Sequence, residues 1–289
     1  MRRIAITVLC LLTWCAAGAQ AQAQSHESVE RGHSATEADV LCAGMVTTEK
    51  PSDETYIISG EEADPQTVFS SGQYVYINRG SGAGVKVGDQ FMVLRQSYDF
   101  LHVQFYDQEH KLSNAMGKQW DDVGRVRVVV VHPNVSIAQI SYACTFVQRG
   151  DIVRPAVDYP IFPFRPLKDF DRFAPPSGKV SGRVVRAKNL RALEDRGAVV
   201  YVNVTGVKPG DYIRFYRPTA RKDSAIYQIG GMSDHVFGFG STPQRWKPAD
   251  LPREVIAEGV VLRITPSSAS VLIYNPLREV FIGDYAELE

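Results

Sequence analysis

The sequence has no excess of either charge: Lys+Arg 32 stand against Asp+Glu 32, for a formal net charge of zero. That balance excludes both the basic footprint of a non-specific nucleic-acid binder and the self-repulsion of an open, disordered chain. No apolar run approaches the roughly 20 residues of a membrane-spanning helix, so no transmembrane span is expected in the mature chain. Cysteine is scarce, at 4, and forms no Cys-x-x-Cys pair. His-Glu-x-x-His, Gly-x-Ser-x-Gly and a phosphate-cradling loop closed by Lys-Ser/Thr are all missing, which removes the common signatures of zinc hydrolases, serine hydrolases and P-loop proteins. Amphipathic helix is nearly missing too. The one persuasive stretch, residues 187–196, is rich in Ala, Leu, Arg and Glu, is stopped by Gly197, and is predicted to be helical.

What is present starts with an export pattern. Met1-Arg2-Arg3 precedes an apolar run over residues 4–14, followed by the small-x-small sites Ala17-Gly18-Ala19 and Ala19-Gln20-Ala21. Residues 1–21 are therefore predicted to be a signal peptide. Lipid attachment at Cys15 is the alternative, disfavoured by the bulky Trp14 beside it. Cleavage would discard Cys10 and Cys15 and carry Cys42 and Cys144 into an oxidising compartment. A disulfide between Cys42 and Cys144 is the expectation, with two buried free thiols or a reactive pair as alternatives. Residues 22–36 are polar with few apolar groups, and read as a mobile lead-in.

The rest of the chain is organised by a duplication. Val75-Tyr76-Ile77-Asn78 followed by Gly84-Val85-Lys86-Val87-Gly88-Asp89-Gln90-Phe91 returns as Val200-Tyr201-Val202-Asn203 followed by Gly206-Val207-Lys208-Pro209-Gly210-Asp211-Tyr212-Ile213. Downstream, Gly150-Asp151 follows Pro133 at the spacing with which Gly283-Asp284 follows Pro266. Apolar residues alternate at period 2 on either side of the Gly-Val-Lys-x-Gly-Asp segment, so each copy reads as strands joined by turns. Gly124 to Val131 and Gly259 to Thr265 are expected to be equivalent strands. The unbroken run Val128 to Val131 suggests a strand covered on both faces. Short strands at regular spacing predict an all-β fold of two tandem, related antiparallel β-barrel or sandwich modules. The expected boundaries are 37–154 for the first module, 155–177 for a linker rich in Pro and aromatics, and 178–289 for the second. The linker aromatics are expected to pack across the two modules, with a docking strip for a partner as the alternative.

Residues that could carry chemistry do not assemble on paper. His102, Asp107 and His110 share one region, while His26, His33, His132 and His235 are scattered, so no metal site or cofactor is expected. Ser233-Asp234-His235 holds the residue types of a hydrolase triad, but three consecutive side chains point in different directions. Gly80, Gly82, Gly84 and Gly88 read as a hairpin turn, and Arg149-Gly150-Asp151 as a turn rather than an adhesion sequence. The copies differ most in their insertions, residues 96–122 and 218–253. The second holds Tyr227, Phe237, Phe239 and Trp246, which are the candidate partner-binding residues, with a lid over a barrel end as the alternative.

The repeated block, with the Gly-Arg-Val at Gly124 and the closing Gly-Asp-x-Val at Gly150, resembles the small β-barrel of the flagellar assembly protein T C-terminal domain. It is more distantly similar to the tandem barrels of the rod-shape-determining protein MreC. The resemblance covers residues 72–154 and, more loosely, 197–289. It implies non-enzymatic scaffolding in the bacterial envelope and supplies no catalytic residue. The expectation is an exported, periplasmic or outer-membrane-associated protein that binds an envelope protein or a cell-wall glycan. The competing readings are a secreted hydrolase assembled from distant residues such as His102, Asp121 and Asp234, and a glycan- or peptidoglycan-binding module.

Overall fold

The computed structural model describes residues 34–61, 66–100, 103–165, 171–218 and 251–289. Its two modules share the same turn. Asp89 Oδ2 accepts the Lys86 N–H at 2.9 Å, and Asp211 Oδ2 accepts the Lys208 N–H at 2.7 Å. Gly88 and Gly210 sit at φ +95 and +90, a region closed to most L-residues, and donate their N–H groups to the Val128 and Val261 carbonyls. The aspartate closes the turn and the glycine bends it, so both residues are consumed by geometry.

In the first module, β2 (Ile57–Gly60), β4 (Tyr74–Ile77), β5 (Gln90–Gln96), β6 (Lys118–Val131), β7 (Ser136–Ala143) and β9 (Ile152–Pro155) pair in the order β2-β4-β7-β6-β5-β9. The sheet curls until its edges meet, where Tyr56 bridges Ile152 and Ile57 N–H donates to the Asp151 carbonyl at 2.9 Å. In the second module, β10 (Ser181–Ala187), β12 (Val199–Val202), β13 (Tyr212–Pro218), β14 (Arg253–Ile264), β15 (Ala269–Pro276) and β17 (Tyr285–Leu288) form a closed barrel in the order β10-β12-β15-β14-β13-β17. The two orders are the same order, and closure removes exposed sheet edges. A two-stranded flap repeats as well: β3 (Val68–Phe69) with β8 (Val147–Gln148), and β11 (Leu193–Glu194) with β16 (Val280–Phe281).

Register makes the duplication residue-specific. Tyr74 faces Gln139 and Tyr76 faces Ile137, as Val199 faces Leu272 and Tyr201 faces Ser270. Val128 faces Ala138 as Val261 faces Val271. This equates Val126, not Gly124, with Gly259, so the expected glycine match is displaced by two residues. Each barrel is filled by inward β-branched and aromatic side chains, Ile57, Phe69, Val75, Val93, Val126 and Ile140 in the first, Val184, Val200, Ile213, Phe215, Val261 and Ile273 in the second. Full burial of such a side chain contributes about 1.5–3 kcal/mol.

Three further expectations are corrected. Residues 187–196 are not a helix: Ala187 ends β10, Leu190 takes a positive φ of 56°, and Leu193–Glu194 is strand β11. Helix-forming composition is overridden there by tertiary pairing with β16. The run Val128 to Val131 is not covered on both faces, since Val128 is buried and Val130 is 42% exposed. The last residues of the polar lead-in belong to the fold. Ser34 bridges Pro163, Ala35 is buried, and Thr36 caps a short helix, α1 (Glu37–Leu41), through a reciprocal capping box with Asp39.

That N-terminal stretch continues into β1 (Met45–Thr47), which pairs with the start of β6. Its apolar residues Ala35, Val40, Ala43 and Val46 lie in one buried cluster with Val199, Tyr201, Val260, Leu262, Leu272 and Tyr274 of the second barrel. Residues 34–47 are thus a strap over the second barrel's outer face. The linker contributes to the same cluster: Tyr159, Phe162 and Phe164 pack on it, and Phe164 stacks on Tyr274 with centroids 4.9 Å apart. The first module's insertion forms a second helix, α2 (Glu109–Met116), and sends Tyr106 into the core of the second barrel. The disulfide Cys42–Cys144 fastens the strap to the first barrel just past β7.

Candidate interaction surface

Among the described residues, one arginine–aspartate pair is spent on structure in the same way in each module. Arg95 donates from Nε and Nη2 to the two oxygens of Asp151, each at 2.7 Å. Arg217 makes the same fork to Asp284 at 2.9 and 2.7 Å. Each aspartate also accepts a backbone N–H, from Gln148 at 2.8 Å and from Phe281 at 2.7 Å. Each arginine lies over a neighbouring ring, Phe146 at 4.9 Å and Phe281 at 4.8 Å. Asp151, the acidic end of Arg149-Gly150-Asp151, is only 2% exposed and therefore out of reach of a partner.

Of the hydrolase candidates His102, Asp121 and Asp234, Asp121 is the one among the described residues. Asp121 accepts from Gln119 at 3.1 Å where the insertion approaches the second module, and burial raises its carboxyl above the ordinary range. His102, Ser233, Asp234 and His235 lie outside the described residues, as do Tyr227, Phe237, Phe239, Trp246, the signal segment and His26 and His33. Asp107, His110 and His132 are exposed. Among the described residues, no three of His, Cys, Asp and Glu gather as a metal site.

The flap carries one asymmetry. Phe69 and Glu194 occupy the same position, opposite Val147 and Val280 respectively. Phe69 fills the first barrel, whereas Glu194 is buried with Oε1 unpartnered among the described residues, and burial raises its carboxyl while Arg191 opposes the shift. A raised carboxyl favours folding when protonated: the contribution is complete below the unfolded value of 4.5 and is lost as pH rises through the folded value. Glu194→Gln is expected to raise stability at pH 7 by about 1 kcal/mol, with the gain vanishing near pH 4. Urea denaturation at the two pH values checks this, and an equal gain at both would refute it.

The outer faces of the two barrels differ in what covers them. Over β12, β15 and β14 the strap presents carbonyls to side-chain donors. Tyr201 donates to Ala43 at 3.0 Å, Ser270 to Gly44 at 3.0 Å, Ser268 to Val46 at 2.6 Å and Arg263 to Val40 at 3.2 Å. Burial raises the Tyr201 hydroxyl well above its ordinary value, so it remains a donor. Over β4, β7 and β6 the equivalent positions form an open groove of about 360 Å³ lined by Glu61, Tyr74, Tyr76, Val129, Val130 and Ile137. Sequence reasoning missed it, although the Val128 to Val131 run was its signal: a strand apolar on both faces with only one face covered.

A non-local brace repeated at equivalent positions, a strap-covered barrel and a groove-bearing barrel define the class: a tandem small-barrel protein whose modules share one buried seam. Residues 72–155, which span the first barrel from just before β4 to the end of β9, match the family model of the flagellar assembly protein T C-terminal domain. The chain is similar to that family over this module. No curated protein matches the chain. No helix among the described residues is long and apolar enough to cross a membrane.

Proposed function

We propose that the protein is a non-enzymatic scaffold or binding component of the bacterial envelope, exported to the periplasm and there free or associated with the outer membrane. One observation carries this reading. Arg95 with Asp151 and Arg217 with Asp284 are forked ion pairs on buried aspartates in matching places of both barrels. A repeated structural brace is what a duplicated scaffold retains, whereas a catalytic site has no reason to appear twice in the same buried turn. The disulfide agrees with an oxidising compartment, and the likeness to a flagellar assembly domain agrees with protein partners.

The partner-binding residues we assign are Tyr227, Phe237, Phe239 and Trp246, because long loops on a rigid barrel are where recognition concentrates. Deleting residues 227–246 from the full chain is expected to abolish co-purification with the envelope fraction while leaving the thermal transition unchanged. Undiminished co-purification by the folded deletion would remove these residues from the reading. A pull-down on purified cell wall separates a protein partner from a glycan.

A further inference from the structure

We infer that the outer face of the first barrel is a peptide-docking groove, and that its occupant is a short strap from a partner protein. This rests on the binding-protein reading above and names the kind of partner contact it would make. The inference comes from comparing equivalent positions. Tyr74, Tyr76, Ile137, Val129 and Val130 stand where the second barrel has Val199, Tyr201, Ser270, Leu262 and Arg263. All five of the latter are buried, beneath residues 34–47 and the groups packed with them. None of the former is buried, and Val130 is among the exposed large hydrophobics. The same sheet face has thus been built twice and, among the described residues, covered once.

The chemistry of the covered copy specifies the occupant of the open one. The strap is a helical turn running into an extended stretch, with small apolar side chains facing the sheet and carbonyls accepting from it. Tyr76 is placed as Tyr201 is, and its hydroxyl has no partner among the described residues, so it can donate to a carbonyl in the same way. Ile137 and Val130 replace Ser270 and Arg263, so the open face asks for more apolar contact and fewer carbonyl acceptors. Its rim is charged. Arg127 ends the cross-strand row through Tyr74 and Gln139, and Glu61 follows β2 at the other end, about 14 Å away over three strand spacings. An occupant with an acidic flank towards Arg127 is complementary, and the strap itself carries Glu37 and Asp39 in its helical turn.

The strap sequence is therefore the probe. A synthetic peptide of residues 34–47 carrying Cys42→Ser is titrated into the full, disulfide-bonded chain, with binding read by fluorescence anisotropy. Saturable binding is expected, weakened at least tenfold by Ile137→Glu or by Val130→Glu, because each buries an unpaired carboxylate. Tyr76→Phe should weaken it several-fold, and Leu277→Glu on the second module should leave it unchanged. Two groove variants guard against one of them misfolding, and each is checked by its thermal transition. No saturable binding at millimolar peptide, or binding indifferent to both glutamate variants, overturns the inference. So does a wild-type dimer that Ile137→Glu dissociates, which would give the face to a second copy. None of these outcomes bears on the envelope-scaffold reading, whose test is the deletion of residues 227–246.

Discussion

Replacing Cys42 and Cys144 with serine is expected to destabilise the protein by about 4–5 kcal/mol, the chain-entropy value for closing a loop near 100 residues. The two cysteines are separated by 102 positions, so the unfolded chain loses much freedom when they are joined. The bridge also has a local task, because Cys42 lies between α1 and β1 in the strap and Cys144 lies just past β7. Without it, the strap is held to the first module by the short β1–β6 pairing, and to the second by carbonyl hydrogen bonds and four small apolar side chains. Denaturant unfolding with and without reductant measures the total, and proteolysis within residues 34–47 reports the strap. A change below 1 kcal/mol would mean that the denatured chain is already constrained, or that the strap needs no tether.

Asp122→Ala is expected to cost about 3–5 kcal/mol, because it strands a buried guanidinium. Asp122 and Arg263 are 3% and 5% exposed, and lie on β6 of one barrel and β14 of the other. Arg263 Nη1 donates to Asp122 Oδ2 at 3.0 Å, Asp122 also accepts the Gly44 N–H at 2.7 Å, and the guanidinium stacks over Tyr159 at 4.0 Å. First module, strap, linker and second module therefore meet at one ion pair. Replacing both partners with apolar residues of similar size, as in Asp122→Leu with Arg263→Met, is expected to recover most of the loss, since an intact buried pair contributes little beyond its own desolvation. A double-mutant cycle gives the coupling. Equal losses in the single and double variants would show that the Gly44 contact, not the pair, is what matters.

Much of the barrel architecture was legible in the sequence because turns leave local signatures. The Gly-Val-Lys-x-Gly-Asp segments need positive φ at one residue and a side-chain acceptor at another, and only a few residue types supply these. Alternation at Val75 and Ile77 showed which face is inward. The cysteine pairing followed from compartment and count. The seam between modules was legible only in its linker rings, because its other parts come from far apart. Tyr106, Met116 and Val40 carry no pattern that assigns them to a barrel beginning near residue 181. The helix Glu109–Met116 escaped notice because its only buried residues are Glu109 and Met116, too few to form an apolar stripe. The misread helix at 187–196 failed in the opposite sense, with favourable composition and no packed face to reward it. The groove was half legible: Val128 to Val131 signalled two apolar faces, and the fold shows that one is left uncovered by the described residues.

The covering of the second barrel is ordered along the chain. Among the described residues, the pieces that seal the second barrel from outside itself, the strap, Tyr106 and Met116 of the insertion and the linker rings, precede it along the chain. As the polypeptide emerges from its amino end, the covering pieces are in place before the barrel that needs them exists. A fragment beginning at residue 178 would inherit the strands without their wrapping, and should associate or precipitate where the intact chain does not.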